Sequence, residues 1–329
     1  MSELYDVAAI GNAIVDVIAP ATDAFLAAEG LDKGAMMLVD EARGSDLYSR
    51  MAPGVETSGG SAGNTIAGVA SLGGRAAYLG KVAPDQLGDV FAHDMRAIGA
   101  HFDTAPLIGG PATARCLINV TPEGERTMCT FLGASTQFTA ADVDPKVIEA
   151  AKIVYLEGYL FDAEPARRAF AKAAGLARAS GRLIAITLSD GFVVERHRAG
   201  LLAFLETQVD LVFANHTEAC ALFETSDFDH ALRELRRRVK MAAVTRGEAG
   251  SVVLHGQETA EVAADPVDKI VDTTGAGDQY AAGFMFGWAT GRPLEVCGRL
   301  GSLAAAEVIS HYGPRPQVPL STLVAQRGL

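Results

Sequence analysis

The strongest constraint on the fold is an alternation that runs through the second half of the chain. Short apolar runs recur there, each followed by a stretch of helical spacing. Ile153-Val154-Tyr155-Leu156 precedes a helix expected over Pro165 to Arg178, and Leu183-Ile184-Ala185-Ile186 precedes one over Val194 to Leu205. Leu211-Val212-Phe213 leads into Asn215-His216-Thr217-Glu218 and a further helix. Ala242-Ala243-Val244-Thr245 follows the run Arg236-Arg237-Arg238, which reads as a solvated helix face beside Glu234. Apolar runs without polar alternation suit strands buried on both faces. Repeated strand–helix units predict an α/β fold, a largely parallel sheet with helices on both sides. Ligands of such sheets bind beyond the carboxyl ends of the strands. The polar residues that end these strands (Ser189-Asp190, Asn215 to Glu218, Thr245-Arg246-Gly247) therefore lie on the functional edge.

The N-terminal run Val7-Ala8-Ala9-Ile10 extends the pattern, stops at Gly11-Asn12 and resumes as Ile14-Val15-Asp16-Val17. Asn12 and Asp16 at a strand end suit either sugar hydroxyls or a local Asx turn. Two later segments break the pattern. Residues 20 to 58 hold short apolar pieces such as Met36-Met37-Leu38-Val39. Residues 107 to 133 hold alternating strands over Thr113 to Val120 and Arg126 to Phe131, joined by the turn Thr121-Pro122-Glu123-Gly124. That is hairpin chemistry. We expect a single domain over 1–329, with a small β-rich subdomain from approximately 12–50 and 107–133 set into the α/β body. A last helix is expected over Pro293 to Ser310.

Two glycine-rich stretches carry the chemistry. Asp272-Thr273-Thr274-Gly275-Ala276-Gly277-Asp278 follows a short strand expected to end near Val271 and opens an apolar helix over Gln279 to Trp288. A helix N-terminus offers free N–H groups and partial positive charge to an anion, and glycine lets backbone approach phosphate oxygens closely. Asp278 adds one carboxylate beside that seat, a weak base for an attacking hydroxyl, which is the pairing phosphoryl transfer needs. Read alone, the same residues also make a glycine turn with an Asp cap. Ser58-Gly59-Gly60-Ser61-Ala62-Gly63-Asn64, ahead of a helix over Thr65 to Ser71, repeats the device. Gly80-Lys81 is no P-loop: the spacing is wrong and Val82 stands where a magnesium-binding hydroxyl belongs.

A formal net charge of −12 argues against a nucleic-acid or anionic-membrane surface. It leaves room for a nucleotide, because a local cradle of amides is positive inside an acidic protein. Cys116, Cys129, Cys220 and Cys297 form no CxxC pair and read as reduced thiols. His216 has no second histidine at ligand spacing. The start Met1-Ser2-Glu3-Leu4-Tyr5-Asp6 lacks a basic leader region, and no apolar run approaches membrane-span length. A cytoplasmic protein is expected.

Taken together, in order and far apart in the chain, these motifs resemble those of the ribokinase-like (PfkB) carbohydrate kinases, and within them the adenosine kinases. Gly59 to Asn64 looks like the N-terminal signature of that family, Asp272 to Asp278 like its C-terminal signature, Asn215 to Glu218 like its NxxE motif and Thr245 to Gly250 like its nucleotide-side strand end. The resemblance implies a three-layer α/β/α sandwich with a β-sheet lid, and an ATP-dependent phosphotransferase acting on an alcohol. Asp278 would be the base, with the amides of Gly275, Ala276 and Gly277 as anion hole and Arg126 approaching the γ-phosphate. Asn12, Asp16, Gly60 and Asn64 would bind acceptor hydroxyls. Asn215, Glu218, Thr245, Gly247 and Ser302 would serve ATP. Glu218 would also serve Mg2+ through water, and Asp272 and Thr274 would hold K+.

For the acceptor, Tyr159 and Phe192 follow strands at places matching purine-binding residues, and Met36, Leu38, Cys116 and Met128 would line the same pocket from the lid. Flat aromatic faces suit a base better than a sugar alone. The expected reaction is phosphorylation of adenosine or a related purine nucleoside at the 5′-hydroxyl. The alternatives are a ribose, fructose or keto-sugar acid kinase of the same family, or a non-catalytic nucleotide-binding protein on the fold. Monomer and homodimer both fit.

Overall fold

In the computed structural model, which describes residues 4–329, the apolar runs of the second half become strands; Met1-Ser2-Glu3 lie outside the described residues. The strands are β1 (Tyr5–Ile10), β2 (Ile14–Pro20), β3 (Met36–Leu38), β4 (Val55–Gly59), β5 (Ala76–Leu79), β6 (Ala114–Val120), β7 (Arg126–Phe131), β8 (Ala151–Glu157), β9 (Leu183–Thr187), β10 (Leu211–Asn215), β11 (Met241–Thr245), β12 (Ser251–His255) and β13 (Glu258–Val262). Eight of them form one sheet in the order β13-β12-β11-β10-β9-β8-β1-β5. Pairing is parallel from β5 across to β11 and antiparallel at β12 and β13.

β1 shows why the apolar runs do not alternate. Ala8 and Ile10 pack into one hydrophobic core and Val7 and Ala9 into the other, so both faces of the strand are buried. The helices Glu164–Ala179 and Gly191–Gln208 cover the first core, and Ser61–Ser71, Gln86–Ala97 and Ala276–Ala289 cover the second. The chain runs outward from β1 to β5, then starts β8 on the other side of β1. Such a reversal opens a crevice at the carboxyl ends of the two strands. Asn12 follows β1 there, and Glu157 ends β8.

The remaining strands form a second sheet, β3-β7-β6-β2-β4. This is the inserted β-rich region. It reaches further than residue 50, because β4 supplies its edge. The expected turn joins β6 to β7, with the Gly124 N–H donating to the Thr121 carbonyl at 2.8 Å. Cys116 and Ile118 of β6 face the space between the sheets, and Leu117 between them is fully buried on the other side.

One expected strand is absent. Residues 263–273 hold no strand, and the chain crosses instead from β13 back to the sheet centre. Ile270 is exposed, and the Val271 N–H donates to the carbonyl of Ile309 at 2.8 Å, so this short apolar pair docks on a helix end rather than on a sheet edge. Both glycine-rich stretches are drawn into helices. Ser61–Ser71 and Ala276–Ala289 each begin a few residues earlier than expected, which puts Asn64 and Asp278 in first turns. On Phe228–Arg238, Arg237 pairs with Glu234 at 2.6 Å and Arg238 with Glu206 at 2.9 Å, as a solvated face does. No helix among the described residues is long and apolar enough to cross a membrane.

Candidate active site

Two left-handed glycines set the approach of the two signature helices. Gly60, at φ 80°, precedes Ser61–Ser71, and a Cβ there would stand 2.3 Å from the Asn12 carbonyl oxygen. Gly275, at φ 79°, precedes Ala276–Ala289, and a Cβ there would meet Pro314 at 2.7 Å. No other residue type fits either place without moving backbone. The two helix N-termini consequently meet in the crevice. Asp278 accepts a hydrogen bond from the Ser61 hydroxyl at 2.6 Å and one from the Asn64 amide at 3.3 Å. Burial pushes its carboxyl up to about 6, against the pull of those two bonds.

Two further acids complete the floor. Glu157, 1% exposed, accepts from the Asn12 N–H (3.3 Å), the Asn12 side-chain amide (2.9 Å) and the Ala62 N–H (2.9 Å). Burial still lifts it to about 7. Asp16 on β2 is buried beside them, and no described residue donates a hydrogen bond to it. Burial raises it to about 6, while Arg315 and then Arg126 pull it down and Asp278 pushes it up. A buried carboxylate with no protein donor is costly to keep charged. Ligand hydroxyls would relieve that cost.

These groups border a cleft of about 720 Å³. Asn12, Asp16, Gly60, Asn64 and Asp278 lie along it, as do Tyr159 and Phe192. Met36, Leu38, Cys116 and Met128 border it from the second sheet. Asn215, Glu218, Thr245, Thr274, Gly275, Ala276 and Gly277 continue it. The expected residues are thereby gathered, with four exceptions. Gly247 sits in a turn after β11, outside the wall. Ser302 also stands away from it, accepting from the Asp265 N–H at 2.7 Å and donating to the Ala263 carbonyl at 3.2 Å. Arg126 and Asp272 face each other instead, 2.7 Å apart with both side chains under a tenth exposed.

The NxxE motif is a capping box. Asn215 accepts from the Glu218 N–H at 2.8 Å, and Glu218 accepts from the Asn215 N–H at 3.0 Å and from its side-chain amide at 2.7 Å. Burial raises Glu218 to about 7. In the loop ahead of Ala276–Ala289, the Ala276 N–H turns back on the Thr273 carbonyl at 3.2 Å, and a Cβ on Gly277 would meet nothing within 4 Å.

The residues present fit Mg2+. Glu218 borders the cleft with hard oxygens, and magnesium keeps most of its waters and takes one or two carboxylates plus substrate phosphates. They do not fit K+ on Asp272. One oxygen of that carboxylate takes the Thr274 N–H (3.0 Å) and hydroxyl (2.7 Å), and the other takes the Gly313 N–H (3.0 Å) and the Arg126 guanidinium. The positive charge beside Asp272 is already a side chain.

Sequence reasoning missed Ser61, Glu157 and Arg315 as functional groups. Ser61 lay inside a recognised motif. Glu157 is a lone acid closing an apolar strand, a signal of the kind used for Asn12. Arg315 follows the last expected helix and has no local signal.

The geometry agrees with what the chain is similar to. The adenosine kinase of Sinorhizobium meliloti is 56% identical over 98% of this chain and 99% of that one, with a TM-score of 0.91. A probable sugar kinase protein from Rhizobium etli is 49% identical over 100% and 99%, with a TM-score of 0.92. The adenosine kinase of Saccharomyces cerevisiae is 29% identical over 93% of this chain and 95% of its own length. The model of the pfkB family carbohydrate kinases matches residues 35–320, and the chain belongs to that family.

Proposed function

We propose that this kinase transfers the γ-phosphoryl group of ATP to the 5′-hydroxyl of adenosine or a closely related purine nucleoside. One observation carries the reading: the cleft is polar at its floor and apolar at its mouth. Asn12, Asp16 and Asn64 line the floor, whereas Leu38 and Phe192 at the mouth are 62% and 71% exposed. Apolar surface left open on both walls of a cleft marks a ligand with an apolar face to cover it. A purine ring supplies that face; a free sugar would leave it wet.

The 5′-hydroxyl approaches Asp278, whose carboxylate accepts its proton as the new P–O bond forms. Ser61 and Asn64 hold that carboxylate in line. Negative charge developing on the transferred group meets the amides at the start of Ala276–Ala289, the Gly277 N–H in a first turn whose donors have no intrahelical partner and the Ala276 N–H released from Thr273. Arg126 exchanges Asp272 for the phosphate; its Nε and Nη1 have no protein partner among the described residues. Glu218 would hold Mg2+ through water, and the ion would neutralise charge on the ATP phosphates. The second sheet, closing over the cleft, would exclude water and suppress ATP hydrolysis.

Initial rates with MgATP across adenosine, inosine, guanosine, ribose, fructose and 2-keto-3-deoxygluconate, with and without K+, test this. A kcat/KM preference for adenosine of at least about a hundredfold over ribose is expected, a difference of about 3 kcal/mol, the scale of burying one large apolar group. A preference for a free sugar would overturn the purine assignment while leaving Asp278 as base.

A further inference from the structure

The segment after the last core helix ties the two signature motifs together. Three consecutive residues each engage them. The Gly313 N–H donates to Asp272 at 3.0 Å. Pro314 packs on Gly275, and its carbonyl accepts from the Gln279 side chain at 2.9 Å. The same Gln279 nitrogen reaches the Asn64 carbonyl, also at 2.9 Å, and Gln279 is fully buried. Arg315 then enters between Ser61–Ser71 and Gln86–Ala97. Its Nε donates to the Asn64 side-chain oxygen at 3.4 Å, and its Nη2 lies 4.0 Å from the Met95 sulfur.

Asn64 is thereby read from both ends. A guanidinium only donates and a carboxylate only accepts. With Arg315 on one side and Asp278 on the other, the Asn64 amide has one satisfying orientation: oxygen toward Arg315, nitrogen toward Asp278. Flipped, it would set N–H against N–H and oxygen against carboxylate. Arg315 also faces Asp16 on β2, Asp94 on Gln86–Ala97 and Tyr78 on β5, and Asp16 itself faces Arg126 and Asp278 as well.

We propose that Arg315 is a positioning residue of the acceptor site: from behind Ser61–Ser71 it fixes the orientation of the Asn64 amide against Asp278 and supplies the positive charge beside Asp16. It touches no substrate. This deepens the reading of the acceptor floor and rests on it. Without the guanidinium, Asn64 is free to flip away from Asp278, and Asp16 holds its charge less readily, as its direction of titration requires.

The test compares Arg315→Met and Arg315→Lys with wild type, reading KM for adenosine, KM for ATP, kcat, the pH profile of kcat/KM and thermal unfolding. For Arg315→Met, the adenosine KM should rise about tenfold, worth about 1.4 kcal/mol, with the ATP KM unchanged and the acid limb moved to higher pH. Arg315→Lys should bring the acid limb part of the way back but not the adenosine KM, since it keeps the charge beside Asp16 and loses the planar donor that holds Asn64. Wild-type adenosine KM and acid limb in the Met variant would overturn the proposal. So would a loss shared by both substrates and both variants in step with lost thermal stability. Should Arg315→Met fail to fold, Arg315→Lys decides alone: a raised adenosine KM with the ATP KM unchanged supports the role, and full wild-type kinetics overturns it. Should wild type prefer ribose, the purine reading fails separately, and the same split read with ribose still tests Arg315, because Asp16 and Asn64 face hydroxyls that both acceptors carry.

Discussion

Asp272 and Asp278 stand at the two ends of one seven-residue motif and are opposites. Asp272 has donors on both oxygens. Burial pushes its carboxyl up, but the Gly313 N–H, the Thr274 hydroxyl and N–H and the Arg126 guanidinium outweigh it, and the group is held below its ordinary range. Asp278 has only a hydroxyl and an amide, and burial wins, lifting it to about 6. The difference teaches what each is for. A carboxylate with three hydrogen-bond donors and a buried cation holds structure: it ties the second sheet, through Arg126 of β7, to the loop ahead of Ala276–Ala289. A carboxylate short of donors near neutral pH is poised to take a proton.

The largest break in that contrast is Asp278→Asn. It keeps the shape and removes the proposed base, so kcat should fall by about 10³-fold, with ATP affinity by calorimetry nearly unchanged. Turnover within about tenfold of wild type would show that another group accepts the proton. The same variant carries a stability signature. A carboxyl raised in the folded state contributes stability that is present below its unfolded value and lost as pH rises through about 6. Asp278→Asn should therefore gain stability over wild type at pH 8 relative to pH 4, read by denaturant unfolding at both.

Asp272→Asn should behave the other way. Its lowered carboxyl contributes stability above the ordinary carboxylate range, lost as pH falls through the folded value. The substitution leaves Arg126 buried without its counter-ion, at a cost of about 3 kcal/mol at neutral pH that shrinks on acidification. Equal stability of this variant and wild type at pH 7 would show that the pair does not brace the loop. Ser61→Ala is the smallest expected effect. It removes one hydrogen bond that favours the charged form of Asp278, so kcat/KM at pH 6 should drop about threefold, by well under 1 kcal/mol, and recover by pH 8.

Much of this was legible in the sequence because it is local. The apolar runs, the turn ahead of Arg126 and the two glycine stretches state their structure within a few residues, and Asn12, Asp16, Asn64 and Asp278 meet in one cleft as those motifs imply. The opposite character of the two aspartates was not legible. It depends on Arg126, which lies far away in the chain, and on Gly313, beyond the last expected helix. Asp272 reads as a cation site in the sequence because the side chain that pairs with it, Arg126, is distant in the chain. Arg315 reaches Asn64 across 251 positions through a fold that only the assembled helices define. The missing strand near Val271 has the same origin: a short apolar pair names a buried place but not which surface buries it.

The most direct single measurement is the pH dependence of kcat/KM for adenosine at saturating MgATP, in wild type and in Asp272→Asn. It reports the free enzyme's essential base. The expected result is an acid limb near pH 6 in wild type, kept at the same place in Asp272→Asn on a lower plateau. A wild-type profile flat from about pH 5 to 8, or a limb that moves with Asp272, would contradict Asp278 as the poised group and Asp272 as the fixed one.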